Sequence, residues 1–166
     1  MTTVALKPIP LSGVREMLER AEQYRLKGEH WEAQTLCEAI LRVDRDNQEA
    51  LILLVLTMSD QIRDGVSAVE ARQVAARMSD EYQRYFYAGL ICERAARATL
   101  RSGQLGSERT ASALLTEAMH WFGKAEEQRP HDKDEAILRW NACARIAGRT
   151  ASPMSAAEIS HEITGE

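Results

Sequence analysis

Metal-ligand pairs, clustered cysteines and phosphate-binding loops are all missing from this sequence, and each gap removes a class of function. His30, His120, His131 and His161 form neither an HExxH pattern nor an i, i+4 pair that could seat zinc on one helix face. They read as surface or helix-end residues, and no metal site is expected. Cys37, Cys92 and Cys143 are odd in number and far apart in sequence, which suggests neither a disulfide framework nor a CxxC site. A nucleophilic thiol needs a base beside it. No histidine lies within helical reach of any of the three on the same element, so they read as reduced core thiols. Gly103-Gln104-Leu105-Gly106 lacks the GK[ST] ending and the preceding strand of a phosphate loop, and reads as a hairpin turn. No catalytic residue and no cofactor is expected.

Long apolar runs are absent too. No stretch approaches the ~18 residues of a membrane span, and the start lacks a basic region followed by an apolar one, so the chain is read as cytoplasmic and off the membrane. The formal net charge is -4, with Lys and Arg scattered, which leaves no basic stripe for phosphates and argues against nucleic acid. What remains is a chain of 166 residues, 45% hydrophobic and 28% charged, able to bury a core of its own.

Residues 1–13, with Pro8, Pro10 and Gly13, read as an extended arm, because proline lacks an amide donor and biases its neighbours away from the helix. Ser12 could cap the first helix. Helical spacing predicts elements over 14–27, 29–43, 48–62, 67–78, 81–100, 109–127 and 133–147. Leu51 to Leu56 is an unbroken apolar run, but no second strand candidate exists to pair with it. A helix buried on several sides is the expectation there. Gly28, Asp64-Gly65 and Gly148 are the expected stops, and residues 149–166 read as a mobile tail in which 155–163 could form a short helix.

The helices repeat. The slender residues Ala21, Val55 and Gly89 recur at steps of 34 (21 to 55 to 89), with Met17, Leu51 and Tyr85 four before and Tyr24, Met58 and Cys92 three after. On the following helices Ala33, Ser67 and Ala118 are followed four later by Cys37, Ala71 and Phe122, and seven later by Ile40, Val74 and Ala125. This period and pattern resemble the tetratricopeptide repeat. Gly28-Glu29-His30-Trp31-Glu32-Ala33 and the Asp44 turn match it most closely; Met17 and Leu51 stand where its signature tryptophan would be, and Arg45 and Ser79 where proline is usual. The resemblance implies an all-α, right-handed superhelix over residues 14–148, with about three helix pairs and a C-terminal capping helix, because each pair buries its apolar face only against its neighbours. Ser67 to Ala118 spans 51 residues (67 to 118), 17 more than the repeat. The third pair would therefore be elongated, projecting ~12 Å at 1.5 Å per residue, with Ala98, Leu105, Ala111 and Leu114 packing the extension.

In that family the first helix of each pair lines a concave groove that takes an extended or helical peptide. The resemblance places Arg15, Leu18 and Glu22 in the groove from the first unit, Glu49, Ile52, Leu56 and Ser59 from the second, and Gln83, Phe86, Leu90 and Glu93 from the third, with Asn141 at the far end. Members that grip a terminal carboxylate use Lys, Arg and Asn there, whereas this groove offers Leu18, Glu22 and Leu53. Ile52, Leu56, Phe86 and Leu90 would form an apolar patch with charged flanks, a surface that usually marks a contact. The chain's own arm (Ile9, Leu11) or tail (Ile159, Ile163) could fill it instead, or a tightly curled superhelix could bury it. The expected function is a non-catalytic scaffold binding a partner protein or peptide. The alternative is a self-associating adaptor, a homo-oligomer joined through the groove or the extended third hairpin.

Overall fold

The computed structural model describes the backbone of residues 4–162 and the side chains of residues 4–151. Residues 1–3 of the arm and 163–166 of the tail, Ile163 included, lie outside the described residues, as does the side chain of Ile159. All regular structure among the described residues is helical, with no strand. The chain divides into two compact units, Met1–Asp80 and Glu81–Glu166.

The first unit holds α1 (Val14–Leu26), α2 (His30–Val43), α3 (Gln48–Asp60) and α4 (Ala68–Ala75). Each helix packs on the next, and α1 also lies against α3. The α1–α2 turn closes as a Schellman motif: Gly28 at φ 80° donates to the Arg25 carbonyl, and the Glu29 amide donates to that of Tyr24. Only glycine enters that left-handed region without a Cβ penalty. At the next turn Asn47 caps α3, its side-chain oxygen accepting from the Ala50 amide at 2.9 Å while its Nδ2 donates to Asp44. Ser67 caps α4 in the same way. Ser12 does not cap α1. Leu11–Gly13 winds instead into a 3-10 turn, and Gly13 occupies the N-cap position without a side-chain bond.

The apolar run Leu51–Leu56 is helical and sits in the middle of this unit. Ala50, Leu51, Leu54, Val55 and Met58 are buried, joining Leu18 and Ala21 of α1 and Ala33, Cys37 and Ile40 of α2. Thr57 and Ser59 are also carried inside, and each hydroxyl donates to a carbonyl of its own helix, Leu53 and Leu56, so neither is left unsatisfied. α4 stops at Ala75, short of the expected Met78, because Arg77 and Met78 take i→i+3 bonds that tighten the last turn.

The second unit holds α5 (Glu81–Ser102), α6 (Ser107–Glu127) and α7 (Glu135–Glu162). α5 and α6 form a long hairpin with the most extensive packing in the chain, and α7 lies against α6 and touches α5. Phe122, Ile91, Leu115, Ala96 and Ala118 fill its core. Gly89 lets the ring of Phe122 come within the space a Cβ would need: that atom would lie 2.8 Å from Cδ1 and Cε1. Of the residues expected to pack the end of the hairpin, Ala111 is buried and Ala98 and Leu114 are half-buried, but Leu105 is fully exposed. It rides the hairpin tip between Gly103 and Gly106, both at positive φ, which turns it outward. α7 also passes the expected stop at Gly148, which keeps negative φ and so continues the right-handed turn.

Candidate functional site

The first unit carries a hollow of about 280 Å³ between α1 and α3. α1 supplies Arg15, Leu18, Glu19, Glu22 and Arg25, and α3 supplies Glu49, Ile52, Leu53 and Leu56. Both sets run at i, i+3, i+4, i+7 spacing, which puts each on one helix face. Arg15, Leu18, Glu22, Glu49, Ile52 and Leu56 of the expected groove are thus brought together. The floor is aliphatic, with Leu18 buried and Ile52, Leu53 and Leu56 half-buried, and the rim is charged. Arg15 pairs with Glu19 at 3.2 Å in the open. Arg25 pairs with Asp60 at 2.7 Å, with both partners largely covered. Glu22 and Glu49 have no ion-pair partner among the described residues, so the rim has a surplus of negative charge. Arg25 was not singled out from sequence, although it stands seven residues after Leu18 and so shares its face.

Ser59 does not join the hollow; it is buried, with its hydroxyl bonded to Leu56. Neither Ile9, half-buried, nor Leu11, exposed, lines the hollow. The arm that precedes α1 holds Val4 81% and Leu6 67% exposed.

The groove residues of the second unit are placed differently. Gln83 and Phe86 line a separate cavity of about 270 Å³ with Tyr82, Tyr87 and the segment Asp132 to Glu135. Phe86 is nevertheless a core residue, stacked on Tyr82 at 5.8 Å and touching Tyr87 edge-on at 5.3 Å and Phe122 at 5.8 Å. Leu90 is buried as well. Glu93 is only 1% exposed and works inside the unit: Arg97 of α5 reaches its Oε1 at 2.9 Å, and Arg139 of α7 reaches its Oε2 at 3.4 Å. An apolar patch containing Phe86 and Leu90 is therefore not open to a ligand; on the long hairpin the face the register assigns to the groove turns into the core. Asn141 is exposed on α7 and lines neither cavity.

No protein-family model, curated protein or solved structure matches the chain.

The thiols lie deep. Cys37, Cys92 and Cys143 are all free and buried. Burial, reinforced by the Glu38 carboxylate, pushes the Cys37 thiol up to about 12, and burial with the Glu93 carboxylate does the same for Cys143. An activated nucleophile needs the opposite shift. Among the described residues no group of three His, Cys, Asp or Glu could hold a metal ion, and no helix is long and apolar enough to cross a membrane. A third, wide cavity of about 1040 Å³ lies between the α5–α6 tip and Ala147, Thr150 and Ala151 of α7. Its lining is mostly small and polar, and nothing in the repeat pattern pointed to it.

Proposed function

We propose that the protein is a non-catalytic interaction scaffold built of tetratricopeptide-like helix pairs, and that the α1–α3 hollow takes a peptide or helix from a partner. The observation that carries this reading is the hollow itself: half-buried Ile52, Leu53 and Leu56 under the carboxylates Glu22 and Glu49, which have no ion-pair partner among the described residues. Aliphatic surface left partly in water favours a covering partner at ~25 cal/mol per Å² buried. The carboxylates favour a cationic ligand and disfavour a peptide's terminal carboxylate. Two features support the repeat reading. α1 lies beside α3, as first helices of successive pairs do, and α7 closes on the α5–α6 hairpin as a capping helix would. The raised thiols support the absence of catalysis.

The test is capture of partners from the native cell by the wild type and by Ile52→Glu, with circular dichroism confirming that the variant keeps its helicity. Prey retained by the wild type and lost with the folded variant is the expected result. Prey indifferent to Ile52→Glu would move the binding surface elsewhere.

A further inference from the structure

We infer that the α1–α3 hollow is filled by the N-terminal arm of a second copy of this chain, each copy inserting its Val4, Leu6 and Lys7 into the other. The inference rests on the reading of that hollow as an interaction site and names its occupant. The arm carries apolar side chains left largely in water: Val4 and Leu6 are 81% and 67% exposed. They stand two apart, so they share one face of an extended strand. Pro8 and Pro10 hold the chain extended, with Pro10 at φ -72° and ψ 142°, and spare the arm much of the ordering entropy that binding would otherwise cost. The copy's own hollow does not receive Val4 or Leu6, since none of the described arm residues, 4–13, lines it.

Charge completes the match. Lys7 is the only charged residue in the stretch from Val4 to Gly13. On the rim, Arg15 is matched by Glu19 and Arg25 by Asp60, which leaves Glu22 and Glu49 for an incoming cation. The aliphatic floor of Leu18, Ile52 and Leu53 suits Val4 and Leu6, and about 280 Å³ accommodates a few aliphatic side chains rather than a whole helix. A mutual exchange is isologous, so it closes at two copies and does not propagate.

Sedimentation equilibrium of the full chain over a concentration series tests this. The wild type is expected to show a reversible monomer–dimer equilibrium, and Leu6→Glu or Ile52→Glu is expected to remain monomeric. The decisive arm is a charge swap confined to exposed positions, where folding is not at stake. Lys7→Glu alone and the Glu22→Lys, Glu49→Lys pair alone each weaken the dimer at least tenfold, because arm and rim then carry like charges. Mixed in equal amounts, the two variants recover it as a heterodimer. A wild type that is monomeric throughout, a dimer unaffected by the charge variants, or a mixture that fails to recover would each overturn the exchange. Such a monomer that still loses captured prey on Ile52→Glu would leave the interaction site standing and remove only its proposed occupant.

Discussion

At Gly89 the backbone of α5 and the ring of Phe122 share space that no methyl group can enter. A Cβ there would lie 2.8 Å from two ring carbons, and Phe122 is fully buried with Phe86 against it at 5.8 Å, so the ring can yield only by displacing core neighbours. Gly89→Ala gains helix propensity worth up to ~1 kcal/mol but overpacks the core at a cost of ~1–3 kcal/mol. Net destabilisation is expected, read as a lowered urea midpoint at unchanged slope, and Phe122→Leu in the same chain should recover part of it. The sequence marked Gly89 as a small residue in step with Ala21 and Val55, and it marked Phe122 on the facing helix. Their near-collision was invisible, because spacing gives the face a residue occupies and not its distance from the opposing one. Ser59 and Glu93 were misplaced for a related reason: polar side chains read as surface unless the partner that satisfies them is known, and those partners are a carbonyl of the same helix and two arginines.

Between elements, the charges around Glu93 set a clear asymmetry. The carboxylate is 1% exposed, while Arg97 and Arg139 keep 42% and 36% of their side chains in water. Replacing Glu93 with Leu leaves two arginines that can turn to solvent, and a small change in stability is expected. Removing both arginines strands a buried carboxylate. The Arg97→Ala, Arg139→Ala variant should therefore lose ~3–5 kcal/mol, and chemical denaturation of the two variants decides the order. If Glu93→Leu proved the worse, the cost would lie in packing and not in desolvated charge. The helices themselves were legible to within a few residues, since apolar periodicity, the Gly28 and Gly65 stops and the Asn47 and Ser67 caps all act locally. The end of α7 was not. Gly148 stops a helix only where the chain adopts positive φ, and a sequence does not disclose that choice.

For the whole molecule, each unit contains a raised thiol, Cys37 in the first and Cys143 in the second. Their folded values lie near 12 against an ordinary 9.0, so the native state holds these protons more tightly than the unfolded chain. The resulting stabilisation is complete below about pH 9 and is lost as pH rises toward about 12. Stability measured by denaturant across that range should fall, and a Cys37→Ser, Cys143→Ser chain should lose this part of the slope. At neutral pH, native-state thiol labelling should be slow at both. Six of the nine residues that line the hollow of the first unit were named from sequence, because they sit on two short helices at regular spacing; on the long hairpin of the second unit the same spacing led into the core.

The tip of that hairpin has one more consequence. Leu105 stands clear of the protein between two left-handed glycines, on a short loop of small and polar residues, where a protease can take hold of an extended strand. Brief treatment with chymotrypsin should cut after Leu105 and yield two large fragments on a denaturing gel. Under native conditions they should still migrate together, because the seam from Phe122 to Arg139 holds them without the covalent link. The same loop is then the place to splice in a label or a foreign domain without unseating the helices on either side.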